Sequence, residues 1–462
     1  MNSIEDTITA IATPIGEGGI SVVRISGNRA IEVVDKCFHG KSMLRDVHTH
    51  TVHFGKISGS ETMVIDEVVA TVFRAPNSYT GEDVVEIACH GSIFVVEQII
   101  HELLHHGARL AEPGEFTKRA FLNGRIDLSQ AEAVADLIHS RTQISHRVAL
   151  SQLQGSISKK IQELRNRLIE FCGSLEIELD FSEEGLEFFS RQMFIKELEH
   201  IIDVIDHLTD SFKSSKAIRE GINVTIVGKT NVGKSSIFNY LVADSRAIVT
   251  KIPGTTRDII KESINIDGIL FTLADTAGFR NSLNEIEMEG MRRSMDAIKI
   301  ADIIIFVTDI QERDENKHNK ILEEILQEKR EDAQTIFVKN KIDLLPGNQV
   351  VKGPVKPSQI LLSAKTGIGI KALENELFRL AAETNISNND RNPIVINARH
   401  LACLQKAYKR LFAAKTSIEN NMSNEFITID VRGAINSLGE ITGTISNEDV
   451  LNSIFTKFCV GK

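Results

Sequence analysis

The stretch Gly228-Lys229-Thr230-Asn231-Val232-Gly233-Lys234-Ser235-Ser236 gathers residue types that bind phosphate. Its glycines let successive backbone N–H groups turn inward on an anion. The spacing G-x-x-x-x-G-K-S lies between an apolar run over 224–227, a strand signal, and a helical pattern that begins at 237–242. The N-terminus of that helix adds a positive partial charge. Lys234 is expected to reach the β- and γ-phosphates, and the Ser235 hydroxyl to ligate Mg²⁺.

Four further motifs follow in the order a GTPase requires. Gly254-Thr255-Thr256-Arg257-Asp258 carries threonines that can close over Mg²⁺ and the γ-phosphate. Asp275-Thr276-Ala277-Gly278 ends a strand pattern; its aspartate suits the outer coordination of Mg²⁺, and the Gly278 N–H can sense the γ-phosphate. Asn340-Lys341-Ile342-Asp343 ends a later strand. Asp343 can accept two hydrogen bonds from guanine N1 and N2, a donor pair that adenine lacks. Ser363-Ala364-Lys365 ends the last strand, where a backbone N–H can meet guanine O6. Each motif alone is weak, but the ordered set implies GTP binding.

Hydrolysis needs a positioned water and positive charge on the transition state. The residue after Gly278 is Phe279, where a glutamine would orient the attacking water in many GTPases. An apolar ring cannot do so. Glu285, Glu287 and Glu289 lie just downstream and are the candidate replacements. Arg257, Arg280, or a cation bound by the Asn231 amide oxygen can supply the charge.

These motifs need a sheet to hold them. Residues 221–383 alternate apolar strands, over 301–307, 335–338 and 360–362, with helical patterns, which implies a largely parallel sheet covered by helices. The segment 262–274 reads as two strands joined at Asp267-Gly268. Residues 1–124 read as α+β, with strands over 20–25, 67–73 and 84–88 and a helix over 93–105 stopped by Gly107. From Asp127 the texture is helical, with Ala131, Val134, Ala135 and Ile138, then Ile161, Leu164 and Leu168, at helical spacing. Helix returns near the C-terminus, where Leu401, Leu404, Tyr408, Leu411 and Phe412 form one expected apolar face and Lys406, Lys409, Arg410 and Lys415 lie elsewhere. The expected fold is therefore multidomain α/β. It has an α+β N-terminal domain (1–124), a discontinuous helical domain (125–216 and 384–462) and an inserted Ras-like P-loop GTPase domain (217–383). Two separate helical domains are the alternative.

Composition bounds the rest. The chain has 462 residues, 42% of them hydrophobic and 25% charged, with a net charge of −10. That acidic balance does not advertise nucleic-acid binding, so such a partner would need a local basic patch. No apolar run approaches the ~18 residues of a membrane span. The N-terminal residues lack the pattern of a signal peptide, and the five cysteines are scattered without a C-x-x-C. A cytoplasmic location is the expectation. His101 and His105 share helical spacing, but no third metal ligand is near them in sequence.

Several longer blocks carry a resemblance. Asp6-Thr7-Ile8 and Ile11-Ala12-Thr13-Pro14 stand with Val23-Arg24-Ile25-Ser26-Gly27; then come Ser78-Tyr79-Thr80-Gly81-Glu82-Asp83-Val84-Val85-Glu86 and Pro113-Gly114-Glu115-Phe116-Thr117-Lys118-Arg119-Ala120-Phe121-Leu122-Asn123-Gly124. With the ending Phe458-Cys459-Val460-Gly461-Lys462, they resemble the tRNA-modifying GTPase family MnmE, also called TrmE, over nearly the whole chain. The resemblance implies a homodimeric, potassium-dependent GTPase. Potassium would be held by Asn231, the carbonyls of Thr250 and Ile252, and Thr255; Mg²⁺ by Ser235 and Thr256. Glu287, twelve residues after Asp275, matches the water-orienting glutamate, which separates it from Glu285 and Glu289. A folate site for a 5-formyltetrahydrofolate-like donor is implied at Arg24, Glu86, Arg125 and Lys462. By charge, cations there can meet the folate carboxylates while Glu86 meets the pterin edge. The family acts with a flavin- and NADH-dependent partner, MnmG, on C5 of a tRNA wobble uridine. Cys459 is the one cysteine in a matching motif and a candidate reactive thiol.

The chain departs from the family pattern at Lys229-Thr230, Arg125, Val460 and Glu17, where Arg-Pro, lysine, isoleucine and arginine are common. A regulatory RNA-binding GTP switch of the ribosome-assembly type is the competing class. A membrane-linked signalling GTPase is a weaker one, for which no anchor is visible in the sequence.

Overall fold

A computed structural model of the chain describes residues 6–59, 63–180, 190–229, 231–244, 261–275, 296–311, 327–345, 359–383, 397–445, 448–456, 458 and 461. In chain order the elements are β1 (Ile8–Ile11), β2 (Gly18–Ser26), α1 (Ala30–Asp35), β3 (Phe38–Gly40), β4 (Thr51–Ser58), β5 (Val64–Phe73), β6 (Val84–Gly91), α2 (Ile93–His105), β7 (Arg109–Leu110), α3 (Glu115–Leu122) and α4 (Leu128–His139). Then come α5 (Gln143–Leu153), α6 (Ser156–Asp180), α7 (Arg191–Glu220), β8 (Ile222–Val227), α8 (Lys234–Asp244), β9 (Lys261–Ile266), β10 (Ile269–Asp275), β11 (Ile303–Asp309), β12 (Gln334–Asn340) and β13 (Gln359–Leu361). The last are α9 (Ile370–Glu383), α10 (Ala398–Glu419), α11 (Asn424–Thr442) and α12 (Glu448–Phe455). The chain divides into two units, one of Met1–Ala135, Gln152–Ile195 and Lys409–Lys462, the other of Asp136–Ser151 and Lys196–Tyr408.

In the first unit a seven-stranded sheet runs β3-β4-β5-β6-β2-β1-β7. Its pairs are antiparallel except β1 with β7. Alternation along the strands sends Val23, Ile25, Val68, Ala70, Val72, Val85 and Ile87 to one face, where they pack with Val33, Val34, Ile99 and Leu103 of α1 and α2. The α2 helix spans the range its periodicity predicts, and Gly107 beyond it has φ 101°. The short strands β1, β3 and β7 had no sequence signal of their own. Two to four residues carry too little alternation to stand out.

Helices complete this unit. The α4 helix begins with a reciprocal cap: Asp127 Oδ1 accepts from Gln130 N–H at 3.0 Å, and Gln130 Oε1 accepts from Asp127 N–H at 3.0 Å. Leu128 and Ala131 of α4 pack with Leu451 and Phe455 of α12 and with Phe458. The α11 helix is joined to α6 by the Arg432–Glu176 ion pair and by Asn424 Nδ2 donating to Leu175 O at 3.5 Å. Within the first unit, N-terminal helical segments therefore pack with C-terminal ones, α4 with α12 and α6 with α11. One expectation needs correction. On α10, which crosses from the second unit to the first, Leu404 and Leu411 are each buried, as are Cys403, Ala407, Ala414 and Ile418, but Phe412 is 53% exposed. The small residues, not Phe412, continue the packed stripe.

In the second unit a six-stranded sheet runs β13-β12-β11-β8-β10-β9. All pairs are parallel except the edge strand β9, which returns along β10. The turn between them is Asp267-Gly268, with φ 48° and 90°, as the sequence suggests. The core combines Val224, Ile226, Phe271, Leu273, Ile305, Val307, Ile336 and Val338 with Ile237 and Leu241 of α8 and Leu373 and Leu377 of α9. Ile144 of α5 packs against this same core, and a Cβ on Gly268 would lie 3.1 Å from its Cδ1.

Candidate functional site

The chain order of the strands puts a topological switch at β8, between β10 on one side and β11 on the other. In an open parallel sheet the crevice at the strands' carboxyl ends at such a point is where ligands bind. The loop from Gly228 to Gly233 leaves β8 there and enters α8 at Lys234. Its backbone is specialised. Gly228 has φ 151°, and a Cβ on it would sit 2.3 Å from Val307 O. Gly233 has φ 99°, and its Cβ would sit 2.1 Å from Asn340 Nδ2. Asn231 adopts the left-handed region at φ 63°, which asparagine tolerates better than most residues. The Lys234 ammonium folds over the loop and donates to the carbonyls of Gly228 at 2.8 Å and Lys229 at 2.7 Å. Ser235 and Ser236 are exposed in the first turn of α8.

The base-side motifs meet this loop through Asn340. Its Nδ2 donates to Val232 O at 2.8 Å, while its Oδ1 accepts from Lys341 N–H at 2.7 Å and Ala364 N–H at 3.0 Å. One buried amide thereby joins the phosphate loop, the end of β12 and the loop after β13. Asp343 accepts from Ser363 Oγ–H at 2.6 Å through one oxygen, Oδ1. Ser363 Oγ also accepts from Thr366 N–H at 3.3 Å. Lys341 has φ 66°, and its ammonium pairs with Asp309 Oδ2 at 2.6 Å. Burial tends to raise the Asp309 carboxyl, but Lys341 and the Gln311 N–H outweigh it and hold it below the usual range. The described residues therefore bring together Asn231, Val232, Gly233, Lys234, Ser235, Ser236, Asn340, Lys341, Asp343, Ser363 and Ala364, with Lys365 next in the chain. The backbone of Asp275 pairs beside Ile226 at the end of β10. Thr230, Thr250, Ile252, Thr255, Thr256, Arg257, Thr276, Ala277, Gly278, Phe279, Arg280, Glu285, Glu287 and Glu289 lie outside the described residues.

The first unit holds the residues implied for folate. Arg24 and Glu86 face each other across β2 and β6, and Arg24 Nη2 meets Glu86 Oε1 at 2.8 Å. The guanidinium lies 5.1 Å from the Tyr79 ring centroid and 5.6 Å from that of Phe116, and Nη1 donates to Gly461 O at 3.4 Å. Gly461 is seated so closely that a Cβ would stand 1.9 Å from Ile11 O. Arg125 Nε donates to Ser78 O at 3.0 Å, one residue from Tyr79. Arg24 is thus already paired with Glu86, where charge alone had suggested separate roles. Cys459 and Lys462 lie outside the described residues.

Sequence reading missed what the long N-terminal blocks do. Arg119, buried on α3, donates to Asp6 Oδ1 at 2.6 Å, Glu115 Oε1 at 3.0 Å and Glu82 at 3.2 Å. Ser26 Oγ donates to Glu82 Oε2 at 2.7 Å and shares a 2.7 Å bond with Thr80 Oγ1. Arg109 pairs with Asp6 and Glu115, both at 2.5 Å. Burial acts to raise Asp6 and Glu115, but the two guanidinium groups prevail and hold both carboxyls low. The available signal was the set of charged residues inside otherwise uncharged blocks.

A parallel sheet with a switch point, a glycine-shaped phosphate loop and a guanine-type base loop tied to it by Asn340 define a P-loop protein of the GTPase class. Its regions match "MnmE helical domain" over residues 128–459 and "GTP-binding protein TrmE N-terminus" over residues 7–125. The chain belongs to the MnmE (TrmE) family. A tRNA modification GTPase MnmE of Acetivibrio thermocellus is 43% identical over 462 residues, covering 99% of each chain. That of Cytophaga hutchinsonii is 43% identical over 457 residues, covering 99% of this chain and 98% of the relative. A solved structure of Aquifex aeolicus Era is similar at 24% identity over 41% of this chain and 66% of that one, with a TM-score of 0.29. At that score the fold reading rests on the sheet itself.

Proposed function

We propose that this chain binds GTP with Mg²⁺, hydrolyses it in a potassium-assisted reaction, and uses that cycle, with a flavin- and NADH-dependent MnmG-type partner, to modify C5 of a tRNA wobble uridine. The observation that carries the nucleotide reading is the Asn340 bridge, which holds Asp343 and the Ala364 N–H in fixed relation to the phosphate loop. Asp343 keeps Oδ2 available to guanine N1 and N2, and the Ala364 loop offers backbone N–H to O6.

The donor sets fit the proposed ions. Ser235 offers an exposed hydroxyl in the first turn of α8, and oxygen ligands of this kind suit Mg²⁺. Asn231 is exposed on the loop in a left-handed conformation, and its amide oxygen is a neutral donor suited to K⁺. Thr256 would complete the Mg²⁺ set, and Thr250 O, Ile252 O and Thr255 that of K⁺. Held there, Mg²⁺ and K⁺ would supply positive charge to offset the charge that builds on the phosphates. Lys234 orients the β- and γ-phosphates, Gly278 N–H reads the γ-phosphate, and Glu287 holds the attacking water.

The first unit is proposed to bind a 5-formyltetrahydrofolate-type donor. The support is that Arg24, Glu86, Gly461 and the Ser78–Tyr79 segment contacted by Arg125 converge, with Lys462 next to Gly461. We further propose a homodimer located in the cytoplasm; among the described residues no helix is long and apolar enough to cross a membrane. The boundaries 1–124, 125–216, 217–383 and 384–462 belong to the same proposal. A role for Cys459 as a reactive thiol would follow its placement two residues before Gly461.

Two measurements test this. GTP turnover in potassium should exceed that in sodium severalfold, and Glu287→Ala should keep nucleotide binding while losing turnover; equal rates in both salts, or an unimpaired variant, overturn the mechanism. Nucleoside analysis of tRNA from cells lacking the protein should show loss of the C5-modified wobble uridine. Unchanged tRNA would favour the competing reading, a regulatory GTP switch that binds RNA without modifying it.

A further inference from the structure

We infer that Asp309 is a positioning residue for nucleotide binding, acting through Lys341 to fix the side chain that walls the face of the base. The inference rests on the guanine-nucleotide reading of the site.

Asp309 ends β11 and stands in register with Asn340, the last residue of β12. The two strand ends are held together there, with Ile310 N–H donating to Asn340 O at 3.0 Å. Lys341 follows in a left-handed conformation, φ 66°, unusual for a residue with a Cβ. That turn carries its side chain back over the neighbouring strand end, where Nζ meets Asp309 Oδ2 at 2.6 Å. The other carboxylate oxygen, Oδ1, accepts from Gln311 N–H at 3.0 Å. Both oxygens are thus engaged, and the carboxylate presents one fixed lone pair to the ammonium. The charge of Asp309 is itself kept on by Lys341.

Lys341 sits between two residues with assigned work. Asn340 holds the loop to the phosphate side, and Asp343, whose partner is Ser363, reads the edge of the base. With its ammonium tethered to Asp309, Lys341 turns no free charge toward the phosphates. What it offers the ligand is its methylene stem, an apolar strip beside a flat ring, with the charge near enough for a cation–π contribution. Such a contact senses the ring face and not its edge. Asp309 should therefore govern how tightly a purine nucleotide is held, while Asp343 governs which purine it is.

The test is a double-mutant cycle on the full-length protein, using GDP and IDP as probes. Hypoxanthine keeps the purine face but lacks the 2-amino group. Asp309→Asn preserves the shape and the acceptor for Gln311 N–H but removes the charge; Lys341→Met keeps an unbranched stem without the ammonium. Asp309→Asn should weaken GDP and IDP by the same factor, on the order of tenfold, mainly through faster release. The double variant should be no weaker than the weaker single, because both changes break one interaction. Additive losses, or a changed GDP/IDP ratio in Asp309→Asn, overturn the inference while leaving the site reading intact. If the wild-type protein does not prefer GDP over ADP, the site reading fails and the inference with it. Melting temperature without nucleotide separates the two routes to weak binding: a variant that melts with the wild type has lost positioning, and one that melts well below it has lost the loop's fold, which also counts against a positioning role.

Discussion

Asn340 Nδ2 lies 2.8 Å from Val232 O, so a residue of the base loop holds the backbone of the phosphate loop directly. The amide is buried, and its Oδ1 serves two N–H donors on the other side. Neither half of the site is fixed without it. Asn340→Ala leaves a buried carbonyl and two N–H groups without partners, each at about 1–3 kcal/mol. Guanine nucleotide affinity should fall at least tenfold for GDP and GTP alike, as read by equilibrium titration of a fluorescent GDP analogue.

Gly233→Ala tests the same contact from the other chain. The added Cβ would lie 2.1 Å from Asn340 Nδ2 at a backbone φ of 99°. Loop and amide cannot both keep their places. Nucleotide binding should be lost while far-ultraviolet circular dichroism stays that of the wild type, since the sheet core does not include this residue.

Asp343→Asn should change the base and not the phosphate side. A carboxylate accepts from guanine N1 and N2; an amide puts a donor where xanthine carries a carbonyl. Affinity for GDP should drop on the order of a hundredfold, and XDP should become the preferred ligand, as two charge-assisted hydrogen bonds are exchanged. Competition between GDP and XDP reads the switch.

Arg119 is buried amid Asp6, Glu82 and Glu115. Removing it with Arg119→Leu leaves buried Glu82 without a cation and Asp6 and Glu115 with Arg109 alone. The first unit should lose about 3–5 kcal/mol, the range for breaking a buried ion pair from one side. Denaturant unfolding followed by a probe in residues 1–124 measures it. Arg119→Lys should recover only part, because a point charge cannot span three partners.

Acid should act on the same cluster. Asp6 and Glu115 have folded-state pKa values below those of the unfolded chain. Their contribution to stability is fully present above the unfolded carboxylate range and is lost as pH falls through the lower folded values. Between about pH 5 and pH 2 the wild type should therefore lose stability more steeply than an Asp6→Asn/Glu115→Gln variant. Thermal midpoints against pH give both slopes.

What the sequence made legible follows from locality. The Asp267-Gly268 hairpin, the α2 helix and the phosphate loop are written in neighbouring residues, and each stands where it was expected. The sequence implied a largely parallel sheet, but the strand order, and so the switch point at β8, is set by pairings between distant segments. Phe412 misled because periodicity reports one face of α10 but not which residues the tertiary partners cover. The Lys341–Asp309 pair and the Asn340 bridge were invisible for another reason. They join residues 32 and 108 positions apart, and nothing short of the folded sheet brings them together.

The Asp6–Arg119–Glu82–Ser26 cluster draws on all three long N-terminal blocks, with Asp6 and Ser26 from the first, Glu82 from the second and Arg119 from the third. An alteration of charge in one block is met at once by the other two, so no single step leads away from the arrangement without a loss. The blocks can drift only in concert. They can also be transplanted into another protein only as a set.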